Sequence, residues 1–169
     1  TGGNKSVKIF NAKTGDLMAS MLDPEMESVQ DDLYFRAIAF SPDGKHLATG
    51  SEDGLVRMWD IDSQKVLYSL EGHEQDIYTI EFFDGGSKLA TGSGDKSVCL
   101  WDLKDRKCLQ TLHAGTPDTT KDSGITSIAV SPNGKFLAAG SLDRLIRIWS
   151  LPTGSPVDVI EGHADSIYS

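Results

Sequence analysis

Apolar and polar residues alternate along this chain in short runs, and clusters of Gly, Pro, Asp, Asn and Ser separate one run from the next. Alternation over roughly four to eight residues is typical of a β-strand with one buried face. The best-defined region has four such runs, at 77–83, 88–92, 97–102 and 108–112. Because no segment has sustained helical periodicity, the pattern predicts an all-β protein of short antiparallel strands.

The segments between these runs have the composition of tight turns. SPDG at 41–44 and SPNG at 131–134 place Pro and then Asp-Gly or Asn-Gly where the chain is expected to reverse. Two longer segments, at 22–32 and 113–124, lie between a predicted fourth strand and the next first strand. Connections of variable length belong on the surface, so we expect both segments to be surface loops.

One sequence pattern occurs three times, as LATGSEDGLVRMWD at 47–60, LATGSGDKSVCLWD at 89–102 and LAAGSLDRLIRIWS at 137–150. A shorter fourth copy, TGGNKSVKIFN, opens the chain. The tryptophans of the three full copies are spaced 42 and 48 residues apart, and the longer spacing contains an insertion. A repeat of roughly 40–45 residues that ends in Trp-Asp is the unit of a β-propeller blade. The predicted fold is therefore a β-propeller of four-stranded antiparallel blades.

The repeats divide the chain into blade units. We expect part of a blade at 1–21, full units at about 33–70, 71–112 and 123–161, and the start of a further blade at 162–169. Seven blades of this size need about 300 residues. The sequence is therefore interpreted as a fragment of a seven-bladed ring, and the alternative is a short chain that pairs with a second copy to close a ring.

Composition narrows the classes of function. The chain has 169 residues, a net charge of −9 and basic residues scattered singly, which argues against direct nucleic-acid binding. No apolar run approaches the roughly 20 residues that cross a bilayer, so we expect no membrane contact. His46 and His113 stand apart from any ligand cluster, so no metal or other cofactor is expected. Cys99 and Cys108 are interpreted as reduced, partly buried thiols, with a disulfide across their hairpin as the alternative.

The segment LATGSGDKSVCLWD contains two patterns that resemble catalytic motifs. Gly94, Lys96 and Ser97 suggest a phosphate-binding loop, but strand-forming residues follow and an aspartate precedes the lysine. His73, Thr91 and Asp95 suggest a hydrolytic triad, but the set accompanies a tryptophan inside a structural repeat. We therefore favour a structural role and expect no enzyme.

The Gly-His and Trp-Asp signatures identify the chain as a member of the WD-repeat family. In propellers that resemble it, the histidine before the first strand, a hydroxyl on the second, the turn aspartate and the third-strand tryptophan form a buried hydrogen-bond chain. The resemblance assigns those four positions to His73, Thr91, Asp95 and Trp101. The other copies lack at least one member of this set.

A narrower resemblance is carried by GHEQDIY at 72–78, GSLDR at 140–144 and the opening TGGNKSVKIFNAKTGDL. These segments look like the C-terminal propeller of the fungal Tup-type general transcriptional corepressors. The resemblance implies a nuclear protein whose narrow propeller face docks DNA-bound transcriptional repressors. It also implies a tetratricopeptide-repeat corepressor partner and oligomerisation, both through an N-terminal segment that is absent from this sequence.

The same resemblance assigns repressor contacts to Glu52, Tyr78 and Gly3, although Gly3 stands where the family pattern has a larger residue. Independently, the loops before the first strands and the turns between second and third strands should meet at one end of the blades. We call this set of positions the rim: Arg36, Glu52, Tyr78, Gly94, Thr126, Leu142 and Tyr168. The alternatives are a solvated turn residue for Glu52 and a packed strand aromatic for Tyr78.

Two other functions are weighed against corepressor docking. The run from Leu89 through WDLK loosely fits the adaptor-docking pattern of substrate receptors for cullin-type ubiquitin ligases, with Lys104 as its basic residue. A propeller hydrolase would need several carboxylates or metal ligands on its first strands. Those strands are here mainly apolar or small, at Ala37, Ile80 and Ile128 among others.

Overall fold

Fourteen strands and one short 3-10 turn form the regular structure of the described residues. The structure, a computed structural model, describes residues 5–24, 33–115 and 123–169. The strands are β1 (Ser6–Phe10), β2 (Leu17–Leu22), β3 (Phe35–Phe40), β4 (His46–Ser51), β5 (Val56–Asp60), β6 (Lys65–Leu70), β7 (Ile77–Phe83), β8 (Lys88–Ser93), β9 (Ser97–Asp102), β10 (Lys107–His113), β11 (Ile125–Val130), β12 (Phe136–Ser141), β13 (Ile146–Ser150) and β14 (Pro156–Ile160). The four strands predicted at 77–112 are present, each boundary within one residue.

The strands form four antiparallel sheets in chain order. Strands β1 and β2 make a two-stranded sheet, and β3–β6, β7–β10 and β11–β14 make three four-stranded sheets. We call these sheets blades one to four. Strand β7 contacts β3 on one side and β11 on the other, so the first strands of neighbouring blades lie side by side. This architecture confirms the prediction of four-stranded propeller blades.

The turns of each blade are tied together at both ends by backbone hydrogen bonds that repeat from blade to blade. At the rim, the N–H groups of Glu52, Gly94 and Leu142 donate to carbonyls in the loop before the first strand, at distances of 3.2, 2.9 and 3.0 Å. At the opposite end, one backbone bond in each four-stranded blade joins the turn after the third strand to the turn between the first and second strands. The donors are the N–H groups of Ile61, Leu103 and Leu151. The blades therefore present equivalent turns at equivalent heights.

The hydrophobic core lies between the blades. One cluster joins residues of blades two and three, including Leu89 and Trp101, and a second joins blades three and four around Leu137 and Trp149. A third cluster packs blade one against blade two at Trp59. Because the apolar faces of adjacent sheets cover one another, each blade depends on its neighbours for burial.

Neighbouring blades approach most closely where a glycine near the end of a second strand meets an isoleucine of the next first strand. A Cβ atom on Gly92 would lie 2.4 Å from Cγ2 of Ile125. The same contact follows the second strand of each four-stranded blade, and the pairs are Gly50–Ile77, Gly92–Ile125 and Gly140–Ile167. The last pair places the segment after blade four in the position of a following first strand.

Each blade also contains β-bulges at fixed places. In the first strands the pairing register skips one residue, and the skipped residues are Arg36, Tyr78 and Thr126. In the last strand of each blade a second register shift skips an exposed aliphatic residue. These residues are Met18, Leu67, Leu109 and Val157. A bulge interrupts the regular ladder, so the outer bulges make the edge strands poor templates for pairing with another chain.

The two cysteines differ in exposure. Cys99 in β9 is buried and Cys108 in β10 is exposed, and both are free thiols. The prediction of two partly buried thiols is therefore wrong for Cys108, because the outer strand of the blade faces solvent. Among the described residues, no helix has the length and apolarity needed to cross a membrane.

We predict that Gly92→Ala destabilises the protein by about 1–3 kcal/mol, since the new methyl group must displace Ile125 and Thr79 in a packed interface. The free energy of unfolding, measured by urea titration with tryptophan fluorescence, checks this. Gly115→Ala is the matched control because no atom of the described residues lies within 4 Å of a Cβ at that position. Equal stability of the two variants would contradict the proposed close packing.

Candidate functional site

Four side chains in blade three form a continuous chain of hydrogen bonds. The indole N–H of Trp101 donates to Oγ1 of Thr91 at 2.8 Å. The Thr91 oxygen also lies 2.7 Å from Nε2 of His73, and Nδ1 of His73 lies 2.8 Å from Oδ2 of Asp95. If the threonine hydroxyl donates to Nε2 and the Nδ1–H group donates to the carboxylate, each N–H and O–H group of the chain donates one hydrogen bond. The structure thus brings together all four residues that the family resemblance assigned.

This arrangement argues against both catalytic interpretations of the segment. Thr91 is 0% exposed and its oxygen already accepts the indole N–H, so it has no route to a substrate. The residues between β8 and β9 connect strand to strand, whereas a phosphate loop leads from a strand into a helix. The described contacts of Thr91 and Trp101 in this segment are packing and hydrogen-bonding contacts inside the blade.

Asp95 organises the turn between β8 and β9. Its Oδ1 accepts hydrogen bonds from the backbone N–H of Ser97 at 2.9 Å and from the Ser97 hydroxyl at 2.6 Å, while Oδ2 accepts the N–H of Glu74 at 3.0 Å. Burial acts to raise the pKa of Asp95, but the hydrogen bonds from His73, Ser97 and Glu74 outweigh burial and lower the pKa to about 2. The carboxylate thereby fixes the rim turn and the entry loop of the blade together.

Blade two has no histidine at this place, and an arginine occupies the corresponding site. Trp59 still donates to Oγ1 of Thr49 at 2.9 Å. The buried guanidinium of Arg57 donates from Nη2 to the turn aspartate, Asp53, at 2.7 Å and from Nη1 to the hydroxyl of Ser51 at 2.7 Å. Burial acts to raise the pKa of Asp53, but the hydrogen bonds that it accepts from Arg57, the Ser51 hydroxyl and the Leu55 N–H leave this pKa below the ordinary value.

The arginine of blade two also connects two blades. Its Nε donates to Oδ2 of Asp23 at 2.5 Å, and both side chains are almost completely buried. Asp23 follows the last strand of blade one, so this ion pair ties blade one to blade two. A buried carboxylate with such a partner is held firmly, because losing the cation would leave the charge desolvated.

In blade four an arginine again bonds the turn aspartate, but the threonine beside the tryptophan is replaced. Arg147 donates from Nη2 to Asp143 at 2.6 Å and from Nη1 to the hydroxyl of Ser141 at 2.9 Å. Ala139 stands where the other blades have a threonine, so Trp149 has no hydroxyl partner at that position.

Sequence reasoning missed both arginines. The signal was present, because the residue two positions before each tryptophan is Arg57, Cys99 or Arg147. Arginine occurs in the two blades that lack the histidine, and the small cysteine occurs in the blade that has it. The arginines of blades two and four thus bond the turn aspartate in the way that His73 does in blade three.

On the rim of blade two, three side chains form one cluster. Glu52 and Arg36 form an ion pair through Oε1 and Nη2. The other carboxylate oxygen of Glu52 accepts the backbone N–H of Tyr34 at 3.3 Å, and the Arg36 guanidinium lies 5.6 Å from the centre of the Tyr34 ring. Glu52 is therefore a bonded residue of this turn, whereas the sequence alternatives were a partner contact or a solvated side chain.

On the rim of blade three, Tyr78 projects from the first-strand bulge and is 37% exposed. Its ring lies over Gly94, since a Cβ at that glycine would be 3.3 Å from Cε2 of the tyrosine. The turn of blade two is adjacent, because Gly54, with φ +75°, leaves only 2.7 Å between a Cβ and the carbonyl oxygen of His73. The cluster of blade two and the tyrosine of blade three thus occupy neighbouring parts of the rim.

The remaining rim positions differ in character. The hydroxyl of Thr126 lies within hydrogen-bond reach of the carbonyls of Gly140 and Ile167, with Ile167 the nearer acceptor, and the carbonyl of Leu142 accepts the hydroxyl of Ser166 at 2.9 Å. Tyr168 is exposed. Gly3 lies outside the described residues, so its proposed partner contact has no structural description.

Lys104 and Glu81 bear on the two alternatives to corepressor docking, a substrate receptor of a ubiquitin ligase and a propeller hydrolase. Lys104 is exposed and lines a cleft of about 360 Å³ between blades two and three, at the end away from the rim. Glu81 on β7 accepts the backbone N–H of Val130 at 2.9 Å and so joins two first strands. Within the described ranges, no three His, Cys, Asp or Glu side chains come together in a way that could hold a metal ion.

Comparison with known proteins gives consistent matches. Residues 31–60, 64–102 and 106–150 match the family described as WD domain, G-beta repeat. General transcriptional corepressor tupA of Dictyostelium discoideum is 44% identical over 168 residues, which is 99% of this chain and 28% of that protein. General transcriptional corepressor TUP1 of Saccharomyces cerevisiae is 56% identical over 55 residues, 32% of this chain and 8% of that protein.

A relative of a different name is also similar. Periodic tryptophan protein 2 homolog of Dictyostelium discoideum is 32% identical over 131 residues, which is 77% of this chain and 14% of that protein. The chain spans less than a third of the length of each of these three relatives. The higher identities belong to the two general transcriptional corepressors.

We predict that Asp95→Asn lowers stability at pH 7 by about 2 kcal/mol, at about 1.4 kcal/mol per pKa unit. Because folding lowers this pKa from 3.8 to about 2, the stabilisation is complete above the ordinary value and is lost as the pH falls through the folded value. The difference between wild type and variant should therefore disappear between about pH 4 and pH 2. Urea unfolding across this pH range measures it, with the exposed Asp105→Asn as control; a difference independent of pH would disprove this role.

We also predict energetic coupling between blades one and two. Arg57→Gln should cost about 3 kcal/mol because it leaves two carboxylates without their buried cation. The double variant with Asp23→Asn should be more stable than the sum of the single effects by about 1–3 kcal/mol. The exposed pair Lys107–Asp105 serves as the matched cycle, with an expected coupling below about 1 kcal/mol. Additive effects at Arg57 and Asp23 would refute the inter-blade ion pair.

Proposed function

This chain belongs to the WD-repeat family, and from that premise we propose that it is a non-catalytic scaffold of a transcriptional corepressor. Its rim, at the narrow face of the propeller, captures short segments of DNA-bound repressors. The protein acts in the nucleus through these repressors and makes no direct contact with nucleic acid.

The observation that carries this proposal is the position of Arg36 and Tyr78. Each is the residue skipped by the pairing register of a first strand, in two adjacent blades, and both are exposed. Bulges commonly redirect a side chain toward a binding site. Arginine and tyrosine are also the residue types most often found as binding hot spots. A rim with a cation beside an aromatic ring therefore favours peptide capture.

The support beneath the rim favours a rigid docking platform. The turn aspartates are held by buried side chains: Arg57 fixes the turn that carries Glu52 to the third strand of blade two, and His73 fixes the turn that carries Gly94 to the entry loop of blade three. Rigid elements keep a binding surface in place before the partner arrives, which reduces the ordering cost of binding.

The corepressor role rests on similarity to the relatives. Two of them are named general transcriptional corepressors, and this chain covers 28% and 8% of their lengths. A tetratricopeptide-repeat partner and oligomerisation belong to the same proposal, through a segment outside this sequence. The fully buried Thr91 and the strand-to-strand connection after it support a non-catalytic role.

A displayed library of peptides that tile DNA-binding transcriptional repressors tests the proposal. The wild-type chain should enrich a defined set of segments, and Tyr78→Ala should reduce their affinity at least tenfold, because truncating a central aromatic anchor typically costs 2 kcal/mol or more. Circular dichroism and the melting temperature should change little.

Phe40→Ala is the matched control, since Phe40 is an exposed aromatic at the opposite end of β3. It should bind the enriched segments like the wild type. Enrichment of no segment, or equal binding by the Tyr78 and Phe40 variants, would exclude the rim as the docking surface. A large fall in melting temperature for Tyr78→Ala would instead identify this tyrosine as a core residue.

A further inference from the structure

The two members of the ion pair on the blade-two rim are not equally accessible. The Arg36 side chain is 49% exposed and the Glu52 side chain is 20% exposed. Both carboxylate oxygens of Glu52 are already hydrogen-bonded within the blade, one to Arg36 and the other to the N–H of Tyr34. The carboxylate is therefore the bonded partner and the guanidinium is the group that faces solvent.

Arg36 retains donors for a second acceptor. A guanidinium has five N–H groups, and the ion pair with Glu52 uses Nη2. The ring of Tyr34 lies 5.6 Å from the guanidinium carbon, a distance that favours a cation–π contact. The strand bulge directs the side chain out of the pairing ladder. Among the described residues, these contacts hold the cation on the rim and leave N–H groups of the guanidinium for a further acceptor.

We propose that Arg36 is the residue that contacts the partner and that Glu52 is a positioning residue which holds it. The segment captured by the rim carries an acidic side chain that pairs with Arg36, beside an apolar side chain that packs on Tyr78. This inference rests on the proposed function, because it assigns the partner chemistry of the same rim.

The net charge of −9 does not decide this preference. Charges farther away than about 8 Å are largely screened at physiological ionic strength, so the group in direct contact governs specificity. A paired carboxylate and guanidinium form short, charge-assisted hydrogen bonds that neutral groups do not match. The acidic character of the whole chain instead predicts slower association with an acidic segment, which low salt would accentuate.

A displayed library of random twelve-residue peptides tests the inference through a charge exchange. The wild-type chain should enrich peptides with Asp or Glu next to an apolar residue. The double variant Arg36→Glu/Glu52→Arg keeps an ion pair but reverses which charge is exposed, so it should enrich Lys or Arg instead. The neutral double variant Arg36→Gln/Glu52→Gln should show no charge preference, and it provides a second test if the exchanged pair folds poorly.

Single substitutions separate contact from positioning. Glu52→Gln keeps one carbonyl acceptor, which can serve Arg36 or the Tyr34 N–H but does not replace both carboxylate oxygens, so affinity for the acidic peptides should fall by about threefold. Glu52→Ala removes both contacts and should weaken binding about tenfold. Lys107→Glu is the control for a charge reversal away from the rim. Lys107 lies at the end of blade three that is farthest from the rim, so this variant should leave the selection of peptides unchanged.

Two results would overturn the inference while leaving the proposed function intact. One is enrichment of basic peptides by the wild type and of acidic peptides by the exchanged variant, which would make Glu52 the contact. The other is Tyr78-dependent selection with the same charge preference in all variants. Selection of no peptides, or selection unaffected by Tyr78→Ala, would overturn the proposed function and this inference with it.

Discussion

The carboxylate between the second and third strands is the group on which each complete blade depends. It accepts hydrogen bonds from the turn backbone on one side and from a buried cationic or imidazole group on the other. These turn aspartates are Asp53, Asp95 and Asp143. Their partially buried charge would be costly alone, and the partner from the third strand or from the entry loop offsets that cost. In blades two and four this carboxylate fixes the rim turn to the third strand, and in blade three it also fixes the entry loop.

The sequence predicted most of this architecture because repetition and alternation both report on backbone pairing. Period-two alternation located the strands of blade three, and the resemblance to WD-repeat propellers assigned the four residues of its hydrogen-bond chain. Arg57 and Arg147 were missed because an arginine in a strand resembles a solvent-facing residue unless its copies are compared position by position. The exposure of Cys108 was missed because alternation does not reveal which strand of a sheet is outermost.

The bulges could not be predicted from the sequence for a different reason. A register shift depends on how two strands pair, and the alternation of a single strand carries no information about its partner. The sequence therefore placed Arg36 and Tyr78 on the rim, but it did not predict that both lie outside the pairing ladder. Pairing shows that they share one position in successive blades, outside the ladder. Because that position carries no packing or pairing duty common to all blades, its side chain can differ from blade to blade, whereas the glycine that faces the next blade cannot.

The Arg36–Glu52 ion pair lies at such a variable position, and its energetics bear on the proposed binding surface. A surface pair such as Arg36–Glu52 adds little to folding stability, typically below about 1 kcal/mol. A free arginine side chain loses about 2 kcal/mol of rotamer entropy when it is immobilised. In the docking site proposed above, Glu52 holds the guanidinium before a partner binds, so part of the entropy cost of ordering Arg36 falls on folding and not on binding. On this proposal, the pair contributes more to the affinity and charge selectivity of the rim than to the stability of blade two.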